Sequence, residues 1–362
     1  MARIEFRDLA HAYGGRPGSV QDYALQPMNM VWQDGGAYAL LGPSGCGKST
    51  LLNIISGLLT PSEGTVLFDG RDMSQMSTRA RNIAQVFQFP VLYDTMSVFD
   101  NLAFPLRNRK VAPREVQARV HEVAEMLDLT ADLQQRASGL SADAKQKISL
   151  GRGLVRKDVA AILFDEPLTV IDPHMKWQLR QKLKEIHQQL KLTLIYVTHD
   201  QVEALTFADE VIVMSNGRVV QQGRPEALFA RPDHTFVGYF IGSPGMNCYA
   251  LQIDGDSIVI GGQRLQLDAA QRQLLQQAGG ELKLGIRPEF VGLTNPGDPG
   301  AVHVELVQVQ HLGTSQLLTA QFGGQIVKAR LDADLRLAGS HQWLRLLKPE
   351  TIFFSNDERI GR

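Results

Sequence analysis

Residues 42–50 read GPSGCGKST, the pattern G-x-x-x-x-G-K-[ST]. The apolar run GAYALL (36–41) precedes it. STLLNIISGLL (49–59) follows with apolar residues at helical spacing, so the motif lies between a strand and a helix. In that context it is a phosphate cradle. Gly42, Gly45 and Gly47 let backbone N–H groups turn toward phosphate oxygens, Pro43, Ser44, Cys46 and Thr50 complete the segment, and the helix N-terminus adds its positive dipole end. Lys48 supplies a point charge for the outer phosphates, and the Ser49 hydroxyl is placed for Mg²⁺. Cys46 reads as a small filler rather than a nucleophile.

Downstream, VAAILF (159–164) ends in Asp165 and Glu166, and TLIYVT (193–198) ends in His199. Polar residues at the carboxyl ends of strands line the ligand crevice of an open α/β sheet. Asp165 is expected to hold Mg²⁺, and Glu166 to polarise an attacking water as general base. A lone histidine is more often structural, although the strand end puts His199 in position to reach a γ-phosphate. Gln88, in IAQVFQFP (83–90), carries little signal alone, and Tyr13, in HAYGG (11–15), reads alone as an edge or core tyrosine, although its aromatic face suits an adenine ring.

Length and charge bound the rest. The 362 residues suggest about two domains. With 37 Lys and Arg against 38 Asp and Glu, the chain lacks the positive excess of a non-specific nucleic-acid binder. Two cysteines, Cys46 and Cys248, give no disulfide framework. No stretch approaches the roughly 20 apolar residues of a membrane span, and the charged N-terminus has no secretory h-region, so a cytosolic chain is expected.

Strands alternating with helices over residues 1–241 predict an α/β P-loop ATPase domain with a mostly parallel sheet. Residues about 90–157 show no strong strand, and EVQARVHEVAEMLDL (115–129) is amphipathic, which predicts a helical insertion. RPDHTFVGYFIGSPGMN (231–247) reads as a linker. Beyond it, short β-like runs from YALQID (249–254) to HQWLRLL (341–347) predict a small all-β, OB-like domain over 242–362.

The order of motifs resembles the ATP-binding-cassette (ABC) ATPases: P-loop, glutamine before a helical insertion, ILFDEP, TVID and VTHD. GIRPEF (285–290) is similar to the C-terminal TOBE-type OB-like domain of bacterial sugar-importer ATPases. The resemblance implies ATP and Mg²⁺ as ligands, Tyr13 on adenine and Gln88 as the lid glutamine that also senses Mg²⁺. It places Asp172 in a loop crossing a dimer interface, and makes His199 the switch histidine. It further implies two membrane-spanning permease subunits, an external substrate-binding protein and a peripheral place on the cytoplasmic face of the plasma membrane.

One motif departs. Where these ATPases carry LSGGQ, which completes the partner subunit's nucleotide site, this chain has LSADA: Leu140, Ser141, Ala142, Asp143 and Ala144. Ala142 adds a Cβ where glycine lets the backbone approach phosphate. Asp143 adds a negative charge beside a polyanion, a repulsion of roughly 4 kcal/mol at 4 Å and an effective dielectric near 20. Asp143 is also a favourable residue for the first turn of a helix. The asymmetry predicts a heterodimer with a second ATPase bearing an intact LSGGQ. Longer runs, including residues 82–109 and 164–180, resemble the degenerate-signature ATPases of bacterial glycerol ABC importers. The alternatives are a homodimeric ATPase of a sugar or glycerol-phosphate importer and a non-hydrolysing ATP-binding regulator. An ABC ATPase acting on nucleic acid is disfavoured, since residues 246–362 show no basic-aromatic cluster.

Overall fold

The computed structural model describes residues 2–15, 17–169, 171–337 and 339–361. They fall into two compact units, Met1–Pro225 and Glu226–Arg362. In the first, β1 (Ile4–His11), β2 (Leu25–Trp32) and β3 (Ala37–Leu41) lead into α1 (Lys48–Ser56), and β4 (Glu63–Phe68) and β5 (Arg71–Asp72) follow. Next come α2 (Thr78–Arg81), β6 (Ala84–Val86), α3 (Val98–Arg107), α4 (Pro113–Met126) and α5 (Ala142–Leu154). The unit closes with β7 (Ile162–Asp165), α6 (Pro173–Leu190), β8 (Leu194–Thr198), α7 (Gln201–Phe207), β9 (Glu210–Ser215) and β10 (Arg218–Gly223).

Six strands form a sheet in the order β10-β9-β3-β8-β7-β6, parallel except for the β9–β10 hairpin. Every residue of β3 and β8 is buried, as continuous apolar runs covered on both faces should be. A second sheet, β2-β1-β4-β5, is wholly antiparallel and was not expected from the strand–helix alternation. The two sheets share one core. The Phe6 ring meets Trp32 edge-on at 4.9 Å, and Trp32 stacks on Tyr38 of β3 at 5.4 Å.

Helices α3, α4 and α5 occupy the stretch where no strand was expected. Ser97 and Ser141 cap α3 and α5 through their hydroxyls. Buried Arg119 of α4 donates to the carbonyls of Leu154 (2.6 Å) and Val155 (3.0 Å), closing the C-terminal end of α5.

The second unit is built from antiparallel β-sheets, with one helix over Ala269–Gln276 that the β-like runs did not signal. It also includes α8 (Pro225–Ala230) and α9 (Thr235–Phe240), segments expected to end the ATPase domain or form the linker. The cause is Arg287, whose side chain is buried. Its guanidinium stacks on the Phe229 ring at 4.0 Å. It donates to the carbonyls of Phe229 (2.5 Å), Gly238 (3.4 Å), Leu228 (3.4 Å) and Ile241. One buried cation thus satisfies the loose ends of two short helices and fixes them to the β-sheets. The division between units therefore falls before residue 226, whereas the composition placed it at 241–242.

Candidate nucleotide site

Adjacent strands β3, β8, β7 and β6 deliver, at their carboxyl ends, the loop at 42–47, His199, the pair Asp165–Glu166 and the segment bearing Gln88. Two of the loop glycines are required by space. A Cβ on Gly42 would stand 2.3 Å from the carbonyl oxygen of Met214, and one on Gly47 would stand 2.7 Å from that of Ala24. Gly47 also holds φ +103° as it opens α1.

Lys48 does not point outward. Its ammonium donates to the carbonyls of Gly42 (2.8 Å) and Pro43 (3.0 Å) and lies 3.8 Å from the Cys46 sulfur. The loop is thereby stapled from inside, and a phosphate must compete for these donors. Cys46 is 2% exposed, and burial pushes its thiol up, so the neutral, unreactive form fills the space under the loop. Thr50 meets the Tyr13 hydroxyl at 3.2 Å. Tyr13 is 66% exposed, with its ring edge-on to His11 at 4.6 Å. Its location beside the loop suits the stacking expected of it.

Burial raises the carboxyl of Asp165 above the usual range, the charge of Glu166 adds to the rise, and Lys48 offsets part of it. Glu166 takes φ +46°, a left-handed conformation costing about 1–3 kcal/mol for a non-glycine residue. The cost is met by fixed partners. The Glu166 N–H donates to the Val197 carbonyl (2.9 Å), and the Thr169 hydroxyl reaches both the Glu166 carbonyl (3.1 Å) and its carboxylate (3.3 Å). The carboxylate's other oxygen, Oε1, is 3.0 Å from Nδ1 of His199. His199, expected to address phosphate by itself, is thus one member of an acid–base pair. The pair is accessible, the His199 side chain being 56% exposed.

Gln88 lies half-buried in the loop after β6. Asp172 is exposed just before α6, its carbonyl accepting from the Lys176 N–H at 2.9 Å. Residues 140–144 sit instead at the start of α5, in the helical layer. Ser141 caps the helix, accepting from the Ala144 N–H at 3.3 Å. Asp143 is not a bare charge, since Oδ2 lies 3.8 Å from the ammonium of Lys147 one turn on. The repulsion expected from an isolated carboxylate is therefore too large. The added Cβ of Ala142 and the lost glycine freedom remain.

Sequence reasoning passed over Thr169 and a buried network behind His199. Glu203, 3% exposed, accepts from Thr198 Oγ1 (2.8 Å) and Tyr196 OH (3.1 Å). The signal was a glutamate four positions after His199 on a short helix.

Comparisons with known proteins bear on the family of the chain. The ABC transporter family matches residues 25–169, and the MalK OB fold domain matches residues 242–291. The sn-glycerol-3-phosphate import ATP-binding protein UgpC of Pectobacterium atrosepticum is 38% identical over 100% of this chain and 99% of its own length. The protein of the same name from Paracoccus denitrificans is 39% identical over 97% of this chain and 95% of its own, and that from Escherichia coli K12 is 36% identical over 99% of both. Among solved structures, cbiO1 of Clostridium perfringens, part of the ABC transporter complex cbiONQ, superimposes with a TM-score of 0.57 and 30% identity. It covers 63% of this chain and 90% of that one. The ADP conformation of an ATP-binding cassette from another ABC transporter shares the fold, with a TM-score of 0.54 and 23% identity over 64% of this chain and 96% of that one. With the ABC transporter model matched over residues 25–169, the MalK OB fold over 242–291 and full-length relatives at 36–39% identity, the chain belongs to the ABC transporter family, as an ATP-binding subunit of the sugar and polyol importers and an ATPase coupled to transport.

Proposed function

We propose that this chain hydrolyses ATP at its own phosphate loop, as one half of an ATPase heterodimer, to drive import of a glycerol-class substrate. The observation that carries the hydrolytic reading is the Glu166–His199 pair, 3.0 Å apart at the ends of neighbouring strands beside the loop. Glu166 takes a proton from the attacking water as its oxygen bonds to the γ-phosphorus. The bond to the bridging oxygen breaks, and ADP leaves with the electron pair. His199 orients the Glu166 carboxylate and offers a donor to the phosphoryl oxygens. Lys48 and the N–H groups of the loop hold the triphosphate in line, and Tyr13 stacks on the adenine. A structure built to bind without turnover would have no use for the strained backbone of Glu166.

Ser49, Gln88 and Asp165 offer a hydroxyl, an amide oxygen and a carboxylate, the hard oxygen donors that suit Mg²⁺. Asp165, raised by burial, is a carboxyl that a cation would relieve. Among the described residues no three His, Cys, Asp or Glu side chains form a metal cluster, which fits an ion taking its remaining ligands from nucleotide and water. When bound, Mg²⁺ supplies charge neutralisation at the outer phosphates.

The heterodimer reading rests on LSADA against an intact phosphate loop in the same chain. Two such chains would make two impaired sites, whereas a partner with LSGGQ leaves one sound site. Asp172, before α6, is assigned to the facing surface. Among the described residues no helix is long and apolar enough to cross a membrane. The reading assigns the crossing to separate permease subunits and this chain to the cytoplasmic face. The named relatives are importers of sn-glycerol-3-phosphate, which favours the phosphate ester. Glycerol itself rests on the resemblance of the longer sequence runs alone, and the relatives weigh against it. Purification of the native assembly through a tag on this chain tests the pairing. One copy of this chain with one different ATPase supports it, and two copies overturn it. Uptake of labelled glycerol and labelled sn-glycerol-3-phosphate by cells lacking this chain decides the substrate.

A further inference from the structure

We infer that Glu203 is a positioning residue for His199, and that it ties the His199 loop to the start of α6, just beyond the interface loop at Asp172. The inference rests on the role proposed above for His199. Its basis is a buried network. The Glu203 carboxylate is 3% exposed and on a helix of its own, so it is held there for its partners rather than for solvent. Oε2 accepts from the hydroxyls of Tyr196 (3.1 Å) and Thr198 (2.8 Å), alternate residues at the carboxyl end of β8. The Thr198 oxygen in turn accepts from the N–H of Asp200 at 3.0 Å. The Asp200 carboxylate accepts from the N–H groups of Val202 (2.8 Å) and Glu203 (3.2 Å). His199 is therefore pinned at the residue before it and the residue after it, and both pins close on Glu203.

The other carboxylate oxygen faces a different element. Oε1 lies 3.7 Å from the ammonium of Lys176, in the first turn of α6. The backbone N–H of Lys176 donates to the Asp172 carbonyl at 2.9 Å. A shift of the loop at Asp172, as a partner subunit docks on it, has a short route through Lys176 and Glu203 to the loop that holds His199 against Glu166. Each link is a hydrogen bond or an ion pair. A carboxylate serving packing alone would need its two hydroxyl donors but not the cation on a neighbouring helix.

The test uses the importer assembled with its native subunits, with steady-state ATP turnover as the readout. Glu203→Gln keeps an acceptor for the hydroxyls and removes the charge opposite Lys176, and Lys176→Met removes the other partner. Each is expected to lower kcat about tenfold while KM for ATP stays within about twofold, because the triphosphate is held elsewhere and only the reacting geometry loosens. The double variant is expected to be no worse than the worse single, since both break one link. The thermal midpoint of Glu203→Gln should match the parent. Full kcat in Glu203→Gln, additive losses in the double variant, or a loss that follows the thermal midpoint would each overturn the inference. His199→Ala separates the two levels. If it retains full turnover, the reading of His199 fails; if it abolishes turnover while Glu203→Gln does not, only the role of Glu203 fails.

Discussion

The phosphate loop and the segment 140–144, which the proposed heterodimer turns toward its partner's nucleotide, are built to different standards. At the loop of residues 42–50, glycines stand where a Cβ would collide with backbone, Lys48 is buried, and Glu166 is held in a costly conformation by fixed partners. At residues 140–144 the helix start is well made as a helix start: Ser141 caps it and Asp143 pairs with Lys147. What it lacks is the bare backbone that a phosphate needs. A helix start can thus be well capped and charge-paired without offering the bare backbone that phosphate binding requires.

The largest effect should come from Glu166→Gln in the assembled importer. Turnover falls about 10²- to 10⁴-fold, the scale of a lost general base, while a fluorescent ATP analogue still binds. Loss of binding as well would mean that the two functions of this surface are not separable. Restoring the other surface sharpens the contrast from the opposite side. Ala142→Gly, Asp143→Gly and Ala144→Gln together should raise ATP turnover of the isolated chain about tenfold or more. Unchanged turnover would show that the defect lies elsewhere in the helical layer.

The next comparison is within the loop. Gly47→Ala meets the Ala24 carbonyl and an unfavourable φ, and should cost about 1–3 kcal/mol by denaturant unfolding. Gly45→Ala meets only the φ of +78°, with open space around it, and should cost about 1 kcal/mol. Equal costs would contradict the steric account of the loop.

The smallest effect concerns Asp165. Its carboxyl is raised in the folded chain, so its ionisation opposes folding, and stability falls as pH rises through that raised value. Asp165→Asn removes the charge without changing the shape. It should raise the thermal midpoint by a few degrees near neutral pH and by less near pH 4, where the native carboxyl is itself becoming neutral. A stabilisation independent of pH would point to packing rather than charge.

The phosphate loop, Asp165 and His199 were legible because each follows an apolar run at a strand end, whereas Gln88 and Tyr13 do not stand out in this way. GAYALL, VAAILF and TLIYVT locate Gly42, Asp165 and His199 without knowledge of tertiary contacts. What escaped the sequence depends on contacts between distant residues. Arg287 captures α8 and α9 from 46 or more positions away, through carbonyls that every residue possesses, so nothing in their side chains announces it. The antiparallel sheet escaped because β1, β2 and β4 pair edge to edge with no helical crossover, and a short β-like run does not state its partner's direction. The charge of Asp143 was overestimated because Lys147, plain in KQKISLGRGLVR (145–156), was read as part of a helix and not as a counter-ion. Glu203 was hidden by its exposed-looking type; only its burial shows that it faces inward.

On the proposed pairing, this chain carries one sound phosphate-binding surface and one impaired one. That asymmetry is tested most directly by ATP hydrolysis of the purified chain alone over a wide range of protein concentration, with nucleotide binding measured in parallel. The account predicts saturable ATP binding with turnover near background at every concentration. Turnover rising with the square of protein concentration would contradict it, because two copies of this chain would then form a working site with LSADA in place.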